Sequence, residues 1–210
     1  MARNDGSNLD QSIGIAVLAA GASTRMGTPK QLLKIKGVSL IRRAAEHALD
    51  SGCRPVVVVL GANAELIAPE LNGLGIKISV NADWKMGISS SIRCGLKMLL
   101  GVHPQTQSVI LFLADQPHVN GRSLRKLIAA HVESGCGLVT ASYSSRMGTP
   151  ALFSRVYFNE LLEMEGQGGA KSLLERHASL VFEVGLPEAA CDLDTPQDLA
   201  DFTSVQEAIK

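Results

Sequence analysis

Ile13-Gly-Ile-Ala-Val-Leu18 runs straight into Ala19-Ala20-Gly21-Ala22-Ser23-Thr24-Arg25-Met26-Gly27-Thr28-Pro29-Lys30. The first six residues carry no charge and do not alternate with polar ones, so they read as a strand covered on both faces. The loop after them is built of small residues and glycines, which let a backbone approach a ligand closely and line up N–H groups around phosphate oxygens. Arg25 and Lys30 add positive charge to the same loop. It is not a Walker A loop, because Gly27 is followed by Thr-Pro-Lys, and it lacks the Gly-x-Gly-x-x-Gly spacing of dinucleotide-binding turns.

Outward from this stretch the same punctuation recurs. Pro55 to Leu60, Ile76 to Val80, Ser108 to Leu113, Leu138 to Ser142 and Leu180 to Val184 read as further strands, most of them continuously apolar. Between them Ser39 to Ser51, Ala64 to Leu71, Ser89 to Leu100, Ser123 to Ser134, Ala170 to Arg176 and Pro196 to Ile209 carry helical patterns. Strands alternating with helices predict βαβ units and an α/β fold with a mostly parallel sheet in three layers. No repeat or composition shift marks a second domain, so residues 13–210 read as one domain after a flexible tail at 1–12. Ligands of open α/β sheets bind beyond the carboxyl ends of the strands, which makes the residues after each strand the ones to inspect.

Bulk properties exclude several classes. Apolar residues make up 46% and charged residues 19% of 210, a composition that folds. Lys plus Arg balances Asp plus Glu at 20 each, so no overall field draws in nucleic acid or an anionic membrane. Cys53, Cys94, Cys136 and Cys191 form no Cys-x-x-Cys pair, and His47, His103, His118, His131 and His177 form no i, i+4 pair, so no zinc site is expected. Cysteine usage and the absence of an apolar leader predict a reducing, cytoplasmic setting.

The other strand ends offer carboxylates and hydroxyls. Ser108 to Leu113 ends in Ala114-Asp115-Gln116-Pro117, where Asp115 is placed either to cap the turn or to hold Mg²⁺, roles that are compatible. In Asp192-Leu-Asp194-Thr195-Pro196-Gln-Asp198 the last four residues read as a helix start of capping-box type, leaving Asp194 outside the helix with its carboxylate unspent. Ser89, Ser90 and Ser91, just after Gly87, open a helix that follows a strand and are expected to cap it whether or not a ligand is present. His118 near a strand tip is a minor candidate for a contact on the acceptor side. Trp84 reads as packing.

The run Leu18-Ala-Ala-Gly-x-Ser-x-Arg-Met-Gly-x-Pro-Lys30 resembles the signature loop of the nucleotidyltransferases that act on sugar phosphates, methylerythritol phosphate and the molybdenum cofactor, and in particular the molybdenum cofactor cytidylyltransferases. The resemblance implies a Rossmann-like fold of the nucleotide-diphospho-sugar transferase type. It implies that CMP is transferred from CTP to the terminal phosphate of the molybdenum cofactor, with release of pyrophosphate. It assigns nucleotide binding to Leu18, Ala19, Ala20, Gly21, Ala22, Ser23, Gly87, Ser90 and Ser91. Arg25 and Lys30 become the catalytic cations. Mg²⁺ or Mn²⁺ falls to Asp115 and Asp194, with Asp192 the weaker ligand candidate. The acceptor falls to Gly148 and Pro150 of a Gly-x-Pro-x-x-Phe motif and to Lys171 after a glycine-rich loop. Many relatives carry His where this chain has Thr149, which leaves the acceptor open. A receiving molybdoenzyme or its chaperone is the further partner expected.

Four rivals stand beside this reading, one of them an NAD-linked oxidoreductase, which needs a dinucleotide fingerprint that the chain lacks. GTP replaces CTP in the guanylyl branch, which shows Gly-Gly where this chain has Ala20-Gly21. A sugar-phosphate acceptor is disfavoured by the Asp-Gln-Pro and Gly-x-Pro motifs. A non-catalytic cofactor-binding chaperone would be expected to lack Arg25, Lys30, Asp115 or Asp194, and all are present.

Overall fold

A computed structural model describes residues 12–208; the remainder of the expected tail, and the predicted helix end at Ile209, lie outside the described residues. In chain order the elements are β1 (Ile13–Ala19), β2 (Lys34–Ile35), β3 (Val38–Ser39), α1 (Leu40–Asp50), β4 (Val56–Leu60), α2 (Ala64–Ile67), β5 (Lys77–Val80), α3 (Ile88–Val102), β6 (Ser108–Leu113), α4 (Gly121–Ser134), β7 (Leu138–Tyr143), β8 (Arg146–Ser154), α5 (Phe158–Glu163), α6 (Gly169–Arg176), β9 (Val181–Gly185) and α7 (Pro196–Ala208), with short 3₁₀ turns between them. β2 and β3 form a separate hairpin.

Seven strands form one sheet in the order β5-β4-β1-β6-β8-β7-β9. β4, β5 and β6 run parallel with β1, and only β8 opposes its neighbours. Every residue of β1 is buried, as its unbroken apolar run requires. Alternate side chains feed opposite faces: Ile13, Ile15 and Val17 pack with α1 and α4 residues such as Ile41 and Leu124, while Ala16 and Leu18 pack with Ile92, Leu96 and Leu173 from α3 and α6. Each face therefore has its own core, and the layers are the three that the alternating pattern predicts.

Besides the short β2–β3 hairpin, the pattern did not reveal β8, the one strand of the seven-stranded sheet outside the expected set. Ser144 and Ser145 both take positive φ, 50° and 58°, and make the two-residue turn between β7 and β8. Such turns normally announce themselves by Asn-Gly or Asp-Gly, so a Ser-Ser pair hides the hairpin. Pro150 also argues against a strand, since it has no N–H for the ladder. The register resolves the conflict: Thr140 pairs with Ala151 and Ala141 with Gly148, so Thr149 and Pro150 bulge out of the ladder. Phe158–Glu163 likewise escaped the helical pattern, and Ala64 to Leu71 is helical only to Ile67 before Pro69 tightens it into a 3₁₀ turn.

The strand order sets the position of the site. From β1 the chain moves outward through β4 to β5, then crosses to β6 on the opposite side of β1. The crevice beyond β1 and β6 is therefore the topological switch point, where loops leave in opposite directions and a ligand has room.

Candidate nucleotide and acceptor clefts

Two adjoining clefts open at this switch point. The first, about 400 Å³, is walled by the backbone segment Leu18 to Ala22, by Lys30 and Gln31, by Trp84, Lys85, Gly87, Ile88 and Ser91, and by Asp115. The loop after β1 keeps its shape through Gln31, whose buried Nε2 donates to the carbonyls of Ala19 and Gly21, each at 2.9 Å. Ser23 stands outside the wall: its backbone is left-handed, and its Oγ accepts from the Lys30 N–H and donates to Gln31 Oε1. Ser23 thus braces the loop from behind.

At the floor, Lys30 gathers two carboxylates that lie 85 and 164 residues away in the chain. Its Nζ stands 2.5 Å from Asp115 Oδ2 and 2.6 Å from Asp194 Oδ1. The donated Leu193 N–H to Asp115 O, 3.0 Å, brings the two segments together. Burial alone would lower the Lys30 pKa, but the Asp115 and Asp194 charges and hydrogen bonds outweigh it and hold the ammonium above its ordinary value. Arg25 reaches the same cluster from the solvent side, with its guanidinium 3.6 Å from Asp194 Oδ2 and its side chain 71% exposed. The capping box at the start of α7 forms: Asp198 Oδ2 accepts from the N–H groups of Asp194 and Thr195, and the Asp198 N–H donates to Thr195 Oγ1. Asp198 therefore takes the capping duty and leaves the Asp194 carboxylate to pair with Lys30 and Arg25, although Asp194 itself lines neither cleft.

The residues fit a divalent cation of the hard, oxygen-preferring kind. Asp115 Oδ1 is buried without a hydrogen-bond partner, an acceptor that costs free energy unless something positive or an N–H faces it. Its sister oxygen and Asp194 Oδ1 converge on one cation, Lys30 Nζ, which marks the place to which both carboxylates can point. Among the described residues no group of three or more His, Cys, Asp or Glu could hold a metal, so the protein offers a carboxylate pair rather than a closed cage. A pair suits Mg²⁺ or Mn²⁺ that takes its other ligands from substrate phosphates and water.

The second cleft, about 290 Å³, lies beyond Leu18 and is lined by Tyr143, Arg146, Gly148, Thr149, Lys171 and Asp192 among others. Gly148 and the bulged Thr149 stand on this wall, and Tyr143 lies across it: a Cβ on Gly148 would stand 2.2 Å from the tyrosine hydroxyl, so a side chain there requires the Tyr143 ring to move. Gln116, buried and outside both cleft walls, donates from Nε2 to the carbonyls of Thr149 and Ala189 at 3.1 and 3.0 Å and so ties the end of β6 to the β8 bulge. Pro150 is buried in the strand and outside the cleft wall, so the part of its motif that reaches the cleft is Gly148 with Thr149. Lys171 lines the cleft while pairing with Glu175 at 3.6 Å.

Burial, followed by the Asp115 and Asp194 charges, pushes the Asp192 carboxyl from 3.8 up to about 6. A carboxyl whose folded value lies above its unfolded one binds more protons when folded, so ionising it lowers stability as pH rises from about 4 through about 6. Asp192→Asn is therefore expected to melt at a higher temperature than the parent at about pH 7.5 in metal-free buffer, and together with it near pH 4. A melting difference that does not change with pH would contradict this origin.

The serine cluster divides, and none of the three serines caps the helix as expected: the N-cap is Gly87, with no side-chain cap hydrogen bond. Ser91 lines the first cleft, its Oγ accepting from Asn81 Nδ2 at 3.0 Å. Ser90 is buried and spends its hydroxyl on the Asp83 and Gly87 carbonyls, while Ser89 donates to Glu165 O. These two support the wall from inside the helix. His118 stacks on Phe202 with ring centroids 4.9 Å apart and lines neither cleft. Trp84 packs against the α3 core as expected, and it also faces the first cleft beside Lys85, whose Nζ lies 5.5 Å from its ring. The sequence assigned no cleft role to Gln31, Lys85 or Gln167, because a long polar side chain gives no sign of which cavity it faces.

The chain belongs to the MobA-like NTP transferase domain family, whose profile matches residues 15–180. Nicotine blue oxidoreductase of Paenarthrobacter nicotinovorans is 34% identical over 140 residues, 66% of this chain and 65% of that protein. The bifunctional protein GlmU of Pelobacter propionicus is 30% identical over 153 residues, 71% of this chain and 32% of that one. The chain thus spans less than two thirds of these relatives. Among solved structures, Rv0371c of Mycobacterium tuberculosis H37Rv superposes with a TM-score of 0.78 at 28% identity over 92% of this chain and 98% of that one, and the same protein has been crystallised with manganese. The sheet and its helices match this nucleotide-diphospho-sugar transferase-like architecture. Among the described residues no helix is long and apolar enough to cross a membrane.

Proposed function

We propose that this chain transfers CMP from CTP to the terminal phosphate of the molybdenum cofactor and releases pyrophosphate. The observation that carries the reading is the convergence of Asp115 and Asp194 on the Lys30 ammonium, on the floor of a cleft walled by the backbone of Leu18 to Ala22. In this reaction an oxygen of the acceptor phosphate attacks the α-phosphorus in line, and the bond to pyrophosphate breaks. The attacking oxygen is already an anion at neutral pH, so no general base is needed. Work of this kind is positioning and charge stabilisation. The N–H groups around Gly21 and Ala22 hold triphosphate oxygens, Lys30 and Arg25 offset charge on the transferring and leaving groups, and Gly87 and Ser91 close the wall of the nucleotide cleft. The second cleft, with Gly148, Thr149 and Lys171, receives the acceptor. Mg²⁺ or Mn²⁺ on Asp115 and Asp194 would supply neutralisation of the triphosphate, and the manganese complex of Rv0371c supports the use of a divalent metal.

Ala20 favours CTP. It is 6% exposed and lines the nucleotide cleft, where the resemblance places Gly in guanylyl enzymes, and its methyl narrows the space for the base. A cytoplasmic setting and hand-over to a molybdoenzyme belong to the same proposal. The name of nicotine blue oxidoreductase favours a second reading, in which the clefts hold redox partners. Against it, the turn after β1 lacks a dinucleotide fingerprint, and that reading leaves the Lys30 cluster without a task.

Pyrophosphate release with Mg²⁺ and purified molybdenum cofactor, comparing CTP with GTP at equal concentration, tests the proposal. CTP is expected to be preferred by about 10- to 200-fold, the size of other single-methyl steric discriminations. Preference for GTP would keep the transfer and overturn the base assignment. No release with either would turn attention to the redox reading or to a cofactor-binding chaperone.

A further inference from the structure

We infer that Gln167 is the side chain at which nucleotide and acceptor meet, contacting both substrates; this assignment rests on the transferase reading above. The two clefts share Leu18, Ile88, Leu113 and Gln167 in their walls. The first three are apolar, which makes Gln167 the polar side chain common to both. Any bond formed between a molecule in one cleft and a molecule in the other forms beside it.

The loop that carries Gln167 is anchored on both sides. Arg93 Nη1 donates to Met164 O and Ser89 Oγ to Glu165 O, fastening the approach to α3. Beyond the loop, Ser172 Oγ donates to Gly169 O in the first turn of α6. Between these anchors Gly166 and Gly169 take φ of 72° and 54°, a left-handed backbone that turns the chain sharply over the cleft mouth. Gly87 makes the contact possible from below: a Cβ there would lie 2.7 Å from Gly166 O and 2.9 Å from Gln167 Cδ. The amide thus lies against the start of α3 on an exposed loop at the mouth of the two clefts.

The charges around it explain why a neutral group belongs at this point. Lys30 and Lys85 stand in the nucleotide cleft and Arg146 and Lys171 in the acceptor cleft, while Asp115 and Asp192 contribute one carboxylate to each. Two phosphate groups must approach each other across the shared wall. An amide N–H₂ can donate to an oxygen of either one and adds no charge that competes with the Lys30 cluster. A carboxylate of the same shape would repel both.

Sign of charge at position 167 is therefore the quantity to vary. Gln167→Ala and Gln167→Glu would be compared with the parent by pyrophosphate release at varied CTP and varied cofactor, and by calorimetry of CTP binding with Mn²⁺. Thermal melting would establish that both variants fold. Gln167→Ala is expected to lower kcat about tenfold and to raise KM for both substrates, the scale of losing a hydrogen bond to a charged group. Gln167→Glu is expected to fall further, by about another tenfold, although it fills the space that alanine vacates. Equal losses in the two variants would reduce Gln167 to a space-filling role and overturn the proposal. So would wild-type kinetics in either variant, or a loss confined to the KM of one substrate. If the parent itself releases no pyrophosphate from CTP or GTP, the transferase reading fails and takes this assignment with it; failure of Gln167 alone leaves parental turnover intact.

Discussion

Asp115→Asn is expected to lower turnover by about 10²- to 10³-fold and to remove most Mn²⁺-dependent binding of CTP, with the fold unchanged. The magnitude is that of deleting one preorganised electrostatic group from a transition state. Asparagine has nearly the volume of aspartate, so β6 and its packing are preserved. The loss is electrostatic and falls in three places. Asp115 Oδ2 no longer holds Lys30 as a carboxylate, the buried and unpartnered Oδ1 position loses its charge, and Asp194 is left as the single anion on the cluster floor. Turnover by purified Asp115→Asn within about threefold of the parent, at saturating Mg²⁺ and CTP, would show that the carboxylate pair is a structural ion-pair partner and nothing more.

Lys30→Met is expected to act in opposite directions on two observables. Turnover should fall by about 10²-fold or more, because the cation proposed to face the reacting phosphates is gone. Mn²⁺ binding without nucleotide should become tighter, by roughly tenfold or more. Lys30 Nζ occupies the point on which Asp115 Oδ2 and Asp194 Oδ1 converge, so a divalent ion must compete with it there. Unit charges about 4 Å apart interact by about 4 kcal/mol at the effective dielectric near a protein surface, ample to set the scale. Calorimetric titration with MnCl₂ measures the second effect independently of turnover. Weaker Mn²⁺ binding in Lys30→Met would mean that the ammonium organises the carboxylates instead of competing for them. Arg25→Ala should cost less than Lys30→Met, since Arg25 is mostly exposed and touches Asp194 at only 3.6 Å.

Legibility in the sequence depends on where each signal lies in the chain. The β1 loop could be read because its demands are local: small residues and glycines must come directly after the strand, and Arg25 and Lys30 must come after them. Asp115 could be read because an apolar strand ending in Asp-Gln-Pro advertises its tip. Asp194 could be read because the Thr195–Asp198 capping box shows which carboxylate is spent and which is not. Contacts made across the fold left no local trace. Nothing in Lys30 or in Asp194 announces that the two meet across a separation of 164 residues. The hairpin from β7 to β8 was hidden by an unsigned Ser144-Ser145 turn and by a proline that a bulge accommodates. Ser90 and Ser91 look alike in sequence, yet Ser91 lines the cleft and Ser90 turns its hydroxyl to Asp83 and Gly87. Gln167 became visible only when two cavities were found to share it.

The proposed reaction moves the α-phosphate from a nucleotide to an acceptor in these clefts. Incubation with α-³²P-labelled CTP, Mg²⁺ and purified molybdenum cofactor tracks that atom directly. The label is expected in a new species joining CMP to the cofactor, in one-to-one proportion with pyrophosphate released, and to form about 10²- to 10³-fold more slowly with Asp115→Asn. Label that remains in CTP, or appears only as free CMP, would contradict the proposal.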